Sequence, residues 1–118
     1  MPAMEPLRLL LVAHPDDAEA RCGGIMTAYR NAGHEVKWIS VTNGNAGHHE
    51  ISGTELTEIR TQESANASEV IGAEFEVWNT PDGCLEATLE MRWKIIRTIR
   101  SYQADLVLTH RTCDYHPD

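Results

Sequence analysis

The chain has 118 residues, enough for one small domain with a single core, and its 42% hydrophobic and 24% charged residues argue against a disordered protein. Ten basic against eighteen acidic residues give a net charge of -8, which excludes a basic nucleic-acid-binding surface of the usual kind. The longest apolar run, Leu9 to Ala13, is too short to cross a membrane, and Glu5 and Arg8 interrupt any signal-peptide pattern. These features predict a cytoplasmic domain.

The first half of the chain alternates strand and helix patterns. Arg8–Ala13 is an almost unbroken apolar run, typical of a strand covered on both faces, and Asp17–Asn31 follows as a helix that ends before Gly33. Glu35–Thr42 is rich in β-branched and aromatic residues and predicts a second strand. The Gly- and Asn-rich stretch 43–53 has no periodicity and is expected to be a loop.

The second half repeats this alternation. A helix is predicted over Glu55–Ile71, a strand over Glu74–Trp78, a turn at 81–83 and a strand over Asp105–Thr109. The apolar face of the first of these helices is expected to consist of Leu56, Ile59, Ala67, Val70 and Ile71, with Arg60 and Glu63 beside them. The third helix is expected to bury Leu89, Trp93, Ile96 and Ile99.

The order of these elements predicts the fold class. Strands that alternate with helices form an α/β, doubly wound, mainly parallel sheet with helices on both faces. Ligands then bind at the edge where the strands end. No internal repeat or linker is visible, so residues 1–118 are expected to form a single domain.

His14, Asp16 and Asp17 stand together at the predicted switch from the first strand to the first helix. A dinucleotide-binding protein would have a Gly-rich turn there, and two carboxylates would repel phosphate. Imidazole nitrogen and carboxylate oxygen are ordinary Zn²⁺ ligands, so His14 and Asp17 are candidates to bind one ion. The alternative is that Asp16 or Asp17 only caps the helix, which leaves His14 without a role.

A second histidine and carboxylate cluster follows the fourth strand, at His110 and at His116-Pro117-Asp118. Because parallel strands end at the same edge, residues a hundred positions apart can share one site. The alternative for His116 is an exposed histidine in a frayed tail. The adjacent His48 and His49 in the loop are poorer ligands for one ion, since neighbouring side chains of an extended segment point apart.

Taken together, these motifs resemble the PIG-L/LmbE-like zinc de-N-acetylase family. The resemblance rests on AHPDD with CGG soon after it, TNG-x-x-G after the second strand, R-x-x-E on the second helix, PDG after the third strand and the final HPD. It covers essentially the whole chain and implies a Rossmann-like fold. The close spacing of the two clusters is similar to that of the subgroup containing the bacillithiol-pathway deacetylases, although Ala18 stands where many members have glutamate.

The resemblance implies a hydrolase that removes the acetyl group from an N-acetylated amino sugar, of the N-acetylglucosamine-conjugate type, and releases acetate and an amine. Its implied cofactor is one zinc ion held by His14, Asp17 and a histidine expected just after Asp118. Asp16 would be the general base, and His116 would stabilise the oxyanion while Asp118 orients it. The substrate-binding positions it implies are Arg60, Asp82, Asn43 and Gly44.

Several alternatives remain open from the sequence. Arg60 and Glu63 are also spaced as an ordinary helix pair, Asp82 is a common turn residue, and Asn43-Gly44 can be purely structural. The resemblance implies that the domain is truncated after the fourth strand, before its third zinc ligand. The 118-residue chain is therefore expected to be weakly active or inactive and to form a homo-oligomer through its exposed sheet edge. Rival functions are a Mg²⁺-dependent phosphoryl-transfer protein and a non-catalytic binding module.

Cysteine usage adds a constraint on the compartment but not on the chemistry. Cys22, Cys84 and Cys113 include no Cys-x-x-Cys pair, so neither a disulfide framework nor a thiolate zinc cluster is indicated. Free thiols in a reducing compartment are the simplest interpretation, and no role is assigned to them.

Overall fold

The computed structural model describes residues 5–13, 17–45, 50, 53–113 and 118. The strands of this part are β1 (Arg8–Ala13), β2 (Glu35–Thr42), β3 (Glu74–Thr80) and β4 (Leu106–Thr109), and the helices are α1 (Asp17–Asn31), α2 (Gly53–Ile71) and α3 (Leu89–Tyr102). Strand and helix alternate throughout, as the sequence predicts. None of the helices in these ranges combines the length and the apolarity needed to cross a bilayer.

The four strands form one sheet in the order β3-β2-β1-β4, and every neighbouring pair is parallel. The predicted doubly wound α/β fold is therefore confirmed. From β1 the chain builds outward through β2 to β3, then returns to place β4 on the other side of β1. The order of the strands reverses between β1 and β4, which is where proteins of this architecture bind ligands.

One face of the sheet packs against α1 and α2. Leu9 of β1 and Trp38 of β2 are fully buried there together with Met26 of α1. Ala67 and Ile71 of α2 pack against this cluster. Burying an aliphatic or aromatic side chain contributes roughly 1.5–3 kcal/mol, so this layer fixes both helices onto the sheet.

The other face packs against α3. Leu10 and Ile39, the neighbours in sequence of Leu9 and Trp38, point to this face because side chains alternate along a strand. Trp78 of β3 completes the buried cluster, and Met91 and Ile95 of α3 pack against it. Helices thus cover both faces, which explains why β1 is apolar at consecutive positions.

The predicted buried stripe of α3 is confirmed at Ile99 and wrong at Leu89 and Trp93, which are 61% and 50% exposed. Beside Ile99, the helix packs against the core through Met91, Ile95 and Tyr102. The α3 sequence carries apolar residues on two adjacent faces. Periodicity alone does not indicate which of the two faces is buried. Contact with the buried cluster around Trp78 determines it.

The predicted face of α2 needs a smaller correction. Leu56 is buried and Ala67 and Ile71 pack against the core, as expected, but Val70 is 88% exposed and Ile59 is 38% exposed. The small polar Ser64 takes a buried place in the contact face. Close packing against the sheet favours a small side chain there, and hydrophobicity alone does not indicate it.

Candidate functional site

The carboxyl edge of the sheet, where the four strands end, gathers the segments that carry the candidate residues. The last residues of β1 and β4 are neighbours, with Val12 opposite Thr109 in the ladder. The Thr109 hydroxyl donates a hydrogen bond to the Val12 carbonyl at 3.1 Å. The segments that follow these two strands therefore start side by side at the reversal point of the sheet.

Several predicted residues lie outside the described part of the chain. They are His14, Asp16 and His116, together with His48 and His49 of the loop. The backbone of Asp17 opens α1, and β1 ends at Ala13, so both flanks of the first motif lie at the carboxyl edge. The zinc-ligand, base and oxyanion roles of these residues stay predictions.

Asp118 lies against the loop between β3 and α3. Its Oδ2 accepts a hydrogen bond from the Gly83 N–H at 2.8 Å, and its Oδ1 accepts one from the Leu85 N–H at 3.0 Å. The carboxylate thus accepts hydrogen bonds from two backbone N–H groups of one turn. Such charge-assisted hydrogen bonds are stronger than neutral ones. These contacts do not test the predicted role of Asp118 in orienting His116. They give its carboxylate a structural role in the loop between β3 and α3.

Asp118 is the described residue of the second motif, and its contacts place it relative to the ends of the strands. Thr109 ends β4 at one side of the sheet, whereas Asp118 contacts the loop that follows β3 at the other side. The ends of β1 and β2 lie between these two points. Thr109 and Asp118 therefore lie on the two flanks of the place where β1 ends.

Asn43 and Gly44 connect β2 to the same edge. The Asn43 N–H donates to the Thr80 carbonyl at 2.9 Å, and its Oδ1 accepts from the Asn45 N–H at 3.1 Å, which forms an Asx turn. Gly44 is buried with φ 69°, a conformation that a residue with a side chain seldom adopts. These contacts give both residues a structural role, and substrate contact by either stays a prediction.

Asn45, which the sequence reasoning did not single out, joins three segments of the edge. Its Oδ1 accepts from the Asp82 N–H at 2.9 Å, and its carbonyl accepts from the Gly53 N–H at the start of α2 at 2.9 Å. The only signal for it in the sequence is a second asparagine in the Asn-Gly-Asn run. That pattern indicates a turn without indicating its distant partner.

Arg60 and Asp82, the other predicted substrate contacts, stand on α2 and in the loop after β3. Arg60 Nη1 lies 3.0 Å from Glu63 Oε2, so the ordinary helix pair is present. The Arg60 side chain is only 20% exposed, against 48% for Glu63. Asp82 is half-buried, and its backbone N–H donates the hydrogen bond to Asn45 Oδ1.

We expect the Arg60–Glu63 pair to contribute little to stability. Glu63→Gln should change the free energy of unfolding by less than about 0.5 kcal/mol, because the Glu63 carboxylate is exposed and an i,i+3 ion pair gains little over hydrated charges. Urea denaturation followed by circular dichroism measures the change. A loss above about 1.5 kcal/mol would instead show that Glu63 holds the half-buried Arg60 in place.

A metal site at the carboxyl edge would need metal-ligating side chains from the His14–Asp17 motif and from the final HPD motif. Within the described ranges, no three His, Cys, Asp or Glu side chains come together as a metal site. The edge does offer polar surroundings, since the fully buried Thr42 at the end of β2 has a hydroxyl without a hydrogen-bond partner among the described residues. Thr42 lies two residues beyond Ser40, which pairs with Ala13 at the end of β1.

A cleft of about 420 Å³ lies at the other end of the sheet and is not the candidate site. Lys37 forms an ion pair with Glu76 at 3.2 Å, near the start of β2 and β3. Burial alone would raise the pKa of Glu76, but hydrogen bonds from Trp78 and Lys37 outweigh burial and lower it. Burial also raises the pKa of Tyr102 to about 12. The lining of this cleft carries three cationic side chains, Lys37, Lys94 and Arg97, against the one carboxylate of Glu76.

Comparison with known proteins identifies the family. The model of the PIG-L family, described as GlcNAc-PI de-N-acetylase, matches residues 9–118. Diacetylchitobiose deacetylase of Thermococcus kodakarensis is 30% identical over 103 residues, which are 85% of this chain and 39% of that protein.

Two solved structures agree with this assignment. The N,N'-diacetylchitobiose deacetylase of Pyrococcus horikoshii, in complex with its inhibitor MPG, superposes with a TM-score of 0.86 at 27% identity, over 96% of this chain and 45% of that one. The conserved protein TT1542 of Thermus thermophilus gives a TM-score of 0.80 at 34% identity, over 94% and 49%. The chain spans less than half the length of these relatives. Because the family model matches residues 9–118, which are nearly all of the chain, the chain belongs to the PIG-L family.

Proposed function

We propose that this chain is the catalytic part of a zinc-dependent de-N-acetylase that acts on an N-acetylated amino sugar. The family match supports amide hydrolysis, and the similar deacetylases of diacetylchitobiose support a sugar of the N-acetylglucosamine type as the substrate. The single structural observation that carries the proposal is the position of Asp118. It lies on the carboxyl edge on which both flanks of the His14–Asp17 motif also lie.

The zinc site would be formed by His14, Asp17 and the histidine expected just after Asp118. One neutral imidazole, one carboxylate and a second imidazole form a donor set typical of catalytic zinc. When bound, the ion would supply Lewis acidity and make water a better nucleophile at neutral pH. The buried hydroxyl of Thr42 at the end of β2 is consistent with a polar site at the carboxyl edge of the sheet.

The chemistry of the protein's own side chains then follows from their types. Asp16 accepts a proton from the water that attacks the acetamide carbonyl. His116, as an imidazolium, donates a hydrogen bond to the developing oxyanion and is oriented by Asp118. Collapse breaks the C–N bond, and the amine leaves with a proton, so that acetate and a free amino sugar are the products.

Substrate recognition would come from the loops of the same edge. Arg60 offers a planar set of donors for a sugar hydroxyl, carboxylate or phosphate of the conjugate, and Asp82 offers an acceptor for sugar hydroxyls. The Asn43-Gly44 turn brings backbone close to the ligand. We further propose a cytoplasmic protein with a small-molecule substrate and no nucleic-acid partner, in view of its acidic charge and unpaired cysteines.

The experiment that tests this function is acetate release from N-acetylglucosamine and from N,N'-diacetylchitobiose, with the new amine measured in parallel. The 118-residue chain and a longer form from the same gene should be compared, since a third zinc ligand is expected beyond Asp118. We expect the longer form to release acetate and amine in equal amounts. A chelator should abolish the reaction, and Zn²⁺ should restore it.

The rival functions give different results in the same experiment. A Mg²⁺-dependent phosphoryl-transfer protein would release no acetate, would respond to Mg²⁺ and would tolerate His14→Ala. A non-catalytic binding module would release none in either form. Equal activity of the short and long forms would contradict the expected third ligand while leaving the deacetylase function in place.

A further inference from the structure

The turn that carries Asp82 is held almost entirely by side chains from elsewhere in the chain. The N–H groups of 82, 83, 84 and 85 all donate hydrogen bonds. Only that of Cys84 stays within the turn, to the Pro81 carbonyl at 3.0 Å. The other three go to Asn45 and Asp118, so the conformation of the turn depends on these two residues.

Asn45 is itself rigidly placed. Its N–H donates to Asn43 Oδ1, and its carbonyl accepts from Gly53, so its backbone is tied to β2 on one side and to α2 on the other. Its side chain then reaches Asp82 N at 2.9 Å. A replacement of this side chain removes the link to the turn while the backbone links of residue 45 remain.

We propose that Asn45 is a positioning residue for recognition of the amino sugar and that it acts through Asp82. This inference rests on the proposed function and on the assignment of Asp82 to the substrate. The hydrogen bond from Asp82 N fixes the backbone from which the Asp82 carboxylate extends. Preorganised acceptors bind a sugar hydroxyl better than mobile ones, because the cost of ordering them has already been met in the fold.

The test is the kinetics of acetate release from N-acetylglucosamine by the longer, active form. Asn45→Ala should raise KM about five- to tenfold, the effect of one lost hydrogen bond, and change kcat and bound zinc by less than about twofold. In the Asp82→Ala background the same replacement should add no further rise in KM, because Asn45 acts through Asp82.

Two matched variants separate positioning from a general loss of structure. Asn45→Asp keeps an oxygen where Asp82 N–H donates and should hold KM within about twofold of wild type. Asn66→Ala removes an exposed asparagine on α2, whose Oδ1 accepts a local hydrogen bond from Gln62 at 2.9 Å, and should leave KM unchanged. Hydrogen exchange should show faster exchange at the Asp82 amide in Asn45→Ala, with thermal unfolding by circular dichroism as the check on folding.

The outcomes distinguish this inference from the function on which it rests. If wild-type protein releases no acetate from either sugar, the proposed function fails, and the positioning role fails with it. If wild type is active and Asn45→Ala has a wild-type KM, the positioning role alone is overturned. It is also overturned if the effects of Asn45→Ala and Asp82→Ala on KM are additive, or if kcat falls as much as KM rises.

Discussion

Asp16→Asn is expected to lower kcat for acetate release by about 10²- to 10⁴-fold, the usual contribution of a general base, while the protein keeps its zinc. The replacement removes the group that accepts the proton from water and leaves His14 and Asp17, the proposed ligands, unchanged. The measurement combines initial rates on N-acetylglucosamine with the zinc content of the purified variant. Both should be taken on the longer form of the protein.

Two further variants make the Asp16 result interpretable. His14→Ala should lose zinc and activity together, because it removes a proposed ligand. Glu90→Gln, at an exposed carboxylate on α3, should retain both. If Asp16→Asn loses zinc as completely as His14→Ala does, Asp16 is a ligand and the division of roles within the motif is wrong. If it keeps wild-type kcat, Asp16 is not the base.

The order of the elements could be predicted because local patterns and the fold agree, whereas the bounds of α2, β3 and β4 differ from the prediction by one or two residues. The limits of β1, α1 and β2 coincide with the prediction. An almost unbroken apolar run indicates a strand covered on both faces, and Gly33, at φ 89°, ends the first helix as a glycine cap does. The parallel order of strands then fixes the carboxyl edge as the common end of all four.

The packing faces could not be predicted as well, because they depend on what lies opposite. Trp93 is as hydrophobic as the residues that α3 does bury, yet it is half exposed, while Ile95 contacts the cluster around Trp78. The choice is made by the shape of the sheet surface. A single helix with two adjacent apolar faces does not contain that information.

The candidate site, like the fold, could be predicted from the sequence only in part. Parallel topology alone predicts that the His14–Asp17 motif and the final HPD share an edge, and the contact of Asp118 with Gly83 is consistent with that. The hydrogen bonds from Asp82 to Asn45 and from Gly83 and Leu85 to Asp118 join residues more than thirty positions apart in sequence. Their partners are set by the distances between loops, which no local pattern reports.

Asp118→Ala is expected to combine two losses. It removes the acceptor of the Gly83 and Leu85 N–H groups, which should lower the free energy of unfolding by about 1–3 kcal/mol. It also removes the group proposed to orient His116, which should lower kcat by about 100-fold, as the loss of an oxyanion donor does. Urea unfolding and acetate release measure the two effects separately.

The two roles of Asp118 can be told apart by amide exchange and a neighbouring control. Faster exchange at Gly83 and Leu85, with Asp82 unaffected, would show that its carboxylate holds its own half of the turn and that Asn45 holds the other. Glu86→Ala removes an exposed carboxylate from the same loop and should alter neither stability nor kcat. If Asp118→Ala lowers kcat with no change in exchange or stability, the carboxylate serves the histidine alone. If it changes exchange and stability but not kcat, Asp118 belongs to the fold of the loop, and the proposed orientation of His116 must come from another residue.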